Sequence, residues 1–291
     1  MPDGNKLCGS FKALYDGTFY DDKKHKKLDL SEFQQEHIYA LLTDAFKNGI
    51  EQESILGPDG EFIAYEVLAR PKDEFGREYS IAKISEELYR KGLHIEFDTL
   101  TCANGLEHAE KFPVTFNIAV KTALSPHFFD DFKQRMLEQG LRADDVIFEI
   151  LEHDVDVKEN IDHLKALKKE GFRFALDDVA KAGADRHRMQ LFGDLIDFIK
   201  VDGPLVRAYF EGSFDIKNED SKVIKTYTRN DFETLIEQAQ RRCPSAQIIC
   251  ERVRNSHEAE IFLNRNFAVQ GRDINNQKFD LKNNNIPALA I

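Results

Sequence analysis

Short apolar runs that end on a polar or ionisable residue recur along this chain. Six are Val114-Thr-Phe-Asn117, Val146-Ile-Phe-Glu149, Phe174-Ala-Leu-Asp177-Asp178, Phe198-Ile-Lys200, Ile248-Ile-Cys-Glu251 and Phe267-Ala-Val-Gln270. A seventh, Phe62-Ile-Ala-Tyr65, leads directly into Glu66. Continuous runs of this length suit strands buried on both faces, as in a parallel sheet covered by helices. Strands that finish on Asn, Glu, Asp, Lys or Gln place chemistry at one rim of the sheet. In α/β barrels the rim at the carboxyl ends of the strands is where active sites sit.

Between the runs the period changes to that of a helix. Stripes fall at Val157, Ile161, Leu164 and Leu167, and again at Phe232, Leu235, Ile236 and Ala239. The second stripe opens with Asn230 and Glu233, the spacing of a capping box. Ser125-Pro126 is a good start for a helix carrying Phe129, Phe132 and Met136. Gly57-Pro-Asp-Gly60 is a turn signal that predicts a hairpin of Glu51–Ile55 with Glu61–Leu68. Strands alternating with helices imply βαβ units. With one antiparallel first strand the runs give roughly eight, which predicts an α/β fold, a TIM-like (β/α)8 barrel. An open doubly wound sheet satisfies the same alternation, although no glycine-rich phosphate loop follows any of the runs.

Residues 1–35, with the charged cluster Asp21-Asp-Lys-Lys-His-Lys-Lys27, read as an N-terminal extension, and 36–291 as the barrel domain. Ile38, Leu41, Leu42 and Phe46 predict a helix ending at Gly49. The polar stretch between Gly203 and Arg229 is long for a strand-to-helix link and reads as a surface excursion on the active rim.

Composition narrows the class. A chain of 291 residues, 42% hydrophobic with 23 Phe, can fill one large barrel or two small domains. No apolar stretch approaches the ~20 residues that cross a bilayer, and Met1-Pro-Asp-Gly-Asn-Lys6 lacks a secretion signal, so no membrane association is expected. Cys8, Cys102, Cys243 and Cys250 have no metal-type spacing, which predicts reduced thiols and a cytoplasmic setting. A net charge of −12 excludes general nucleic-acid binding. A nucleotide ligand remains open, because bound divalent cations invert the local potential.

Glu66, Asn117, Glu149, Asp177, Asp178 and Glu251 are hard oxygen donors, a set suited to Mg2+ or Mn2+. Adjacent aspartates at one strand end can bridge two cations roughly 3.5–4 Å apart, an arrangement that activates water and neutralises charge on a phosphoester. Lys200 could steer that water and Gln270 could hold another. Each residue alone has a plainer reading. A strand-end Glu is commonly salt-bridged, Asp177-Asp178 could cap a helix N-terminus, Lys200 suits a rim ion pair, and Arg70 suits solvent. Those readings would have to coincide at seven strand ends.

Taken in order, these segments resemble the EAL-domain family of cyclic di-GMP phosphodiesterases. The naming Glu-Ala-Leu motif stands here as Glu66-Val67-Leu68, within Tyr65-Glu-Val-Leu-Ala-Arg70. Gln52 falls at the family's Gln-Pro-Ile, Asn117-Ile118-Ala119 at Asn-x-Ser, and Glu149-Ile-Leu-Glu152 at Glu-x-Thr-Glu. Lys200-Val-Asp202 matches Lys-x-Asp and Gln270-Gly271 matches Gln-Gly, so the resemblance spans about residues 37–275. It implies a barrel with one antiparallel strand and a two-metal site that hydrolyses cyclic di-GMP to linear pGpG. Glu66, Asn117, Glu149 and Asp177 would bind one cation, and Asp177, Asp178 and Glu251 the second. Lys200 would sit beside the attacking water with Gln270 in support. Arg70 and Gln52 would contact substrate, and Glu152 would brace the loop after Asp178.

Two segments depart from the family. Its Asp-Asp-Phe-Gly-Thr-Gly loop is Asp177-Asp178-Val179-Ala180-Lys181-Ala182, which replaces permissive glycines by residues with a Cβ. Its Glu-Gly-Val-Glu is Glu251-Arg-Val-Arg254, and the last cation there could repel a metal or pair with a carboxylate. The leading reading is an active metal-dependent phosphodiesterase. The alternatives are a degenerate member that binds cyclic di-GMP or a protein without hydrolysis, and an unrelated metal-dependent barrel enzyme. Family members often pair through the altered loop, so a homodimer is also an expectation.

Overall fold

A computed structural model describes residues 49–72, 81–108, 113–151, 161–180, 184–218 and 221–274. The 1–35 extension, the stripe leading up to Gly49, Val157 and Glu152 lie outside them. The described residues fall into two compact units. The larger takes in those of Glu53–Glu66, Lys111–Leu124 and Leu141–Ile291, the smaller those of Met1–Gln52, Val67–Glu110 and Ser125–Gly140.

The strands are β1 (Ile50–Leu56), β2 (Phe62–Ala69), β3 (Val114–Ile118), β4 (Val146–Ile150), β5 (Arg173–Val179), β6 (Phe198–Val201), β7 (Ser213–Lys217), β8 (Val223–Thr228), β9 (Gln247–Cys250) and β10 (Ala268–Gln270). Eight of them close into a barrel in the order β1-β10-β9-β6-β5-β4-β3-β2. The strand β1 runs antiparallel to β10, and the successive pairs from β10 to β2 are parallel. This is the TIM-like barrel the apolar runs predict, and its closure excludes the open sheet. The turn between β1 and β2 is closed by Gly57 N–H to Glu61 O at 2.7 Å and Gly60 N–H to Gly57 O at 2.8 Å. Gly60 sits at φ 78, which a side chain would oppose.

Inside the barrel Ile55, Ala64, Ile147, Ala175, Phe198, Ile249 and Ala268 form one buried cluster. Neighbouring strand residues alternate to the other face, as β geometry requires. Phe148 thus meets the Phe172 and Phe174 rings, at 5.8 and 6.3 Å between centroids.

In the larger unit the helices are α3 (Val120–Ala123), α5 (Asp162–Glu170), α6 (Ala184–Phe192), α7 (Gly203–Glu211), α8 (Arg229–Arg242) and α9 (Ser256–Leu263). The smaller unit holds α1 (Ile81–Arg90), α2 (His94–His108) and α4 (Pro126–Glu138). Pro126 opens α4, as read from sequence, and Ser125 stands at its N-cap position without a side-chain hydrogen bond to the helix. The cap expected at Asn230 and Glu233 is instead Thr228 with Asp231. Strand β8 runs straight into α8, so the last extended residue, Thr228, takes the cap. Glu233 is engaged by the Arg265 guanidinium at 2.7 and 2.8 Å.

The polar stretch after Gly203 is more ordered than a loop. It forms α7 and then an antiparallel β7–β8 hairpin outside the barrel. At the end of α7, Glu211 pairs with Arg254 at 3.3 Å, so the hairpin springs from the rim that carries Glu251. No helix among the described residues is long and apolar enough to cross a membrane.

Candidate active site

Each parallel strand delivers its polar residue at the position where the apolar run ends. Asn117 and Glu149 are register partners on β3 and β4. Glu149 is opposite Ala175, so Asp177 stands two residues further along β5. Lys200 lies near the end of β6, Glu251 directly after β9, and Gln270 at the end of β10. Glu66, Glu149, Asp177, Lys200, Glu251 and Gln270 are all buried.

Lys200, 1% exposed, is the hub. Its ammonium lies 2.5 Å from Glu149 Oε2, 2.8 Å from Glu251 Oε1, 3.0 Å from Asp177 Oδ1 and 3.1 Å from Glu66 Oε2. It donates aligned hydrogen bonds to Glu66 and Glu149. Asp177 Oδ1 is close enough for attraction but is not aligned to accept, and so lacks a donor. The rim ion pair suggested by Lys200 alone is therefore a buried four-carboxylate centre.

The amides are oriented by chemistry. A carboxylate only accepts, so the NH2 groups of Asn117 and Gln270 must face Glu66. Asn117 Nδ2 donates to Glu66 Oε1 at 2.8 Å, and Gln270 Nε2 donates to Glu66 Oε2. Their oxygens consequently face away. Asn117 Oδ1, Glu149 Oε1, Asp177 Oδ1 and Gln270 Oε1 are buried with no hydrogen-bond donor. Buried oxygens in native proteins are almost always satisfied, so four together call for partners from outside the chain, water or a cation.

Asp177 and Asp178 are consecutive, and a regular strand would send them to opposite faces. The β5–β6 register shifts between Leu176 and Val179, and Asp178 adopts φ 48. This bulge re-aims the second carboxylate. Oxygens of Asp177, Asp178 and Glu251 consequently lie within 4.8 Å of one another. The pair does not cap a helix, since β5 continues past it to Val179.

Five carboxylates, Glu66, Glu149, Asp177, Asp178 and Glu251, thus share one central ammonium. Burial, reinforced by Glu66 and Asp177, pushes Glu149 well above the usual carboxylate range despite Lys200. Burial likewise drives Glu251 up, helped by Asp177, Glu66 and Asp178. Asp178 is pushed up to about 7 by burial, Asp177 and Asp202. Burial opposes Glu66 too, yet Lys200, Gln270 and Asn117 together hold it below its ordinary value. Burial also works against the Lys200 ammonium, but its four carboxylate neighbours outweigh that and raise it well above normal. Excess buried negative charge calls for protons or cations. Unpartnered hard oxygens fit divalent Mg2+ or Mn2+.

The EAL domain family matches residues 55–272 of this chain. The chain belongs to that family. Curated protein sequences give no match. Among solved structures, the FimX EAL domain from Pseudomonas aeruginosa bound to c-di-GMP is similar at TM-score 0.61 and 16% identity, over 84% of this chain and 99% of that one. The PaMucR phosphodiesterase in its c-di-GMP complex gives 0.56 and 14%, over 80% and 94%. BlrP1 from Klebsiella pneumoniae, with calcium and c-di-GMP, gives 0.53 and 18%, over 77% and 54%. Identities this low establish the shared EAL fold alone.

The departures from the EAL motifs can now be located. Arg254 is half-exposed and pairs with Glu211, so in this chain its guanidinium is a surface partner of α7. Arg252, where the family motif has Gly, keeps a left-handed φ of 52. Its charge acts on Asp178. Its side chain lies over Gly203, where a Cβ would come within 2.4 Å of Arg252 Cδ. Gly271 of the Gln-Gly motif is required by backbone approach, since a Cβ there would meet Val253 O at 2.1 Å. In the altered loop Ala180 is not among the left-handed residues, and its N–H donates to Asp185 Oδ2 at 3.0 Å. Arg70 and Gln52 belong to the smaller unit. There Arg70 is ion-paired rather than solvated, with Nε 3.1 Å from Glu51 Oε2.

Sequence reading missed Asp185 and Arg188, which are buried at 3% exposure on α6. Their i,i+3 spacing in a polar segment looks like a solvated helix face, and nothing in the local pattern marks it as buried.

Proposed function

We propose that this chain is a metal-dependent phosphodiesterase that hydrolyses cyclic di-GMP to linear pGpG. The observation that carries the reading is the set of buried, donorless oxygens on Asn117, Glu149 and Asp177 around one overcommitted lysine. Together with Glu66 they would hold one Mg2+ or Mn2+. Asp177, Asp178 and Glu251 would hold a second. Bound there, divalent cations lower the pKa of water and neutralise charge on a phosphodiester.

The protein's own contribution follows from its contacts. Lys200 stays protonated and ties Glu66 to Glu149, so it fixes two ligands and supplies positive charge where phosphoryl oxygens gain negative charge. Asn117 and Gln270 lock the Glu66 carboxylate from both oxygens. Gln270 Oε1 is left free to accept a hydrogen bond from water and orient it. The reading carries the remaining expectations with it: Arg70 and Gln52 as substrate contacts, Glu152 as a brace, a homodimer, and a cytoplasmic setting.

Incubating the purified protein with cyclic di-GMP and Mn2+ and separating the products by chromatography tests this. Appearance of pGpG is expected, and loss of it on adding chelator. One observation favours a second reading, a receptor that binds without cleavage. Arg252 stands where the family motif has Gly, and its positive charge acts on Asp178, where it would compete with the second metal. Tightly bound but intact nucleotide would select that reading.

A further inference from the structure

We propose that the buried Asp185–Arg188 pair is a positioning device that sets Asp177 and Asp178 for cation binding, doing in this chain what glycines do in the family loop. The inference rests on the metal site proposed above and deepens it.

The bulge that turns two consecutive aspartates into one site interrupts the β5 ladder. Backbone groups beside such a break must find other partners. One ion pair supplies them. Arg188 Nη2 donates to Asp177 O at 2.9 Å, and Nη1 donates to Ile150 O at 3.1 Å. Asp185 Oδ2 accepts from Ala180 N–H at 3.0 Å. The pair itself is held by Arg188 Nη2 and Nε on Asp185 Oδ1, at 2.6 and 3.2 Å.

The three backbone groups are not scattered. The Asp177 carbonyl belongs to the peptide joining the two aspartates. The Ile150 carbonyl follows Glu149 directly, on the adjacent strand. Ala180 closes the segment on the far side of Asp178. A single planar guanidinium thereby ties β4 beside one ligand to β5 between two others. Its fork reaches both carbonyls at fixed angles, which a lysine ammonium cannot do. A carboxylate completes the clamp from the same helix face, one turn away. Supporting contacts of this kind hold ligands within the tolerance that coordination demands. They also explain why Ala180 tolerates a position that is glycine in the family motif: its amide is held, and its backbone is not left-handed.

Arg188→Lys keeps the charge beside Asp185 but removes the fork. Amide hydrogen exchange across Asp177–Ala180 in metal-free protein, and calorimetric Mn2+ affinity, read its effect. The expected result is faster exchange over that segment, unchanged exchange over β9 and β10, and roughly 10–100-fold weaker Mn2+ binding. Wild-type Mn2+ affinity in the folded variant, whatever its exchange, would overturn the proposal. If Arg188→Lys does not fold, the double variant Asp185→Asn with Arg188→Met removes both charges together and is judged by the same two readouts. Should wild-type protein take up no Mn2+, the metal reading fails and the positioning role falls with it, and faster exchange over Asp177–Ala180 in the variant then shows a structural tie only.

Discussion

Two layers of the barrel interior, separated by two residues on six of its strands, do opposite jobs. Ala64, Ile147, Ala175, Phe198, Ile249 and Ala268 make an apolar layer. Glu66, Glu149, Asp177, Lys200, Glu251 and Gln270, each two positions further on, make a polar one. Strand period places both sets on the inner face. The lower layer gains stability from packing, and its residues are interchangeable in principle with others of similar volume. The upper layer concentrates carboxylates that repel one another and leaves oxygens without donors. A layer built for stability would not look like that. The difference marks where the barrel gives up stability, at the layer to which the proposed chemistry is assigned.

The sharpest way to break the contrast is at the top layer. Glu66→Ala should lower cyclic di-GMP cleavage by about 10³-fold or more, measured as pGpG formed per enzyme, while the chain stays folded by circular dichroism. Cleavage at the wild-type rate would remove Glu66 from the metal set. The lower layer should respond the other way. Ile147→Ala, at a fully buried position, should cost about 2–4 kcal/mol in denaturant unfolding and leave the turnover of folded protein within a few-fold.

The metal-free polar layer should also penalise the fold as pH rises. Asp178, Glu149 and Glu251 bind protons more tightly when folded than the ordinary 3.8–4.5 of exposed carboxyls. Their contribution is therefore fully present below that range and is lost as pH climbs toward the folded values, about 7 for Asp178. Glu66, held low, and Lys200, held high, do not titrate in this window. Through Asp178 metal-free protein should lose on the order of 1 kcal/mol per pH unit between about pH 5 and 7, and Glu149 and Glu251 should add to the loss in the same direction. Saturating Mn2+ should flatten the slope. A flat metal-free profile would contradict the charge excess.

The smallest effect is expected at Arg254. Its partner Glu211 is exposed, and such pairs contribute about 1 kcal/mol or less. Arg254→Glu restores the family residue, yet it should change cleavage by less than about twofold. A large gain would mean that Arg254 reaches the metal site after all.

Much of this was legible before any coordinates. Runs ending in Asn117, Glu149, Asp177, Lys200, Glu251 and Gln270 carry both layers in one line of sequence, because strand alternation is local. Counting those runs predicts roughly eight strands and suggests a barrel, and the strand order then excludes the open sheet. What escaped depends on contacts distant along the chain or on a single unusual backbone angle. The bulge that makes Asp178 a neighbour of Glu251 leaves no mark in composition. The Arg188 clamp needs Ile150, thirty-eight residues away, to have meaning. Arg252 and Arg254 look alike in sequence. Only their surroundings distinguish the cation that acts on Asp178 from the one that pairs with Glu211. The β7–β8 hairpin escaped although Ser213–Lys217 alternates polar and apolar residues and Val223–Thr228 is rich in β-branched ones, because most of its positions are exposed rather than part of the core.

Anomalous diffraction from crystals soaked in Mn2+ tests the central claim most directly. The account predicts a manganese peak in contact with Asn117 Oδ1, Glu149 Oε1 and Asp177 Oδ1. Crystals at saturating Mn2+ with no peak there, and Lys200 still the sole cation among Glu66, Glu149, Asp177 and Glu251, would contradict it.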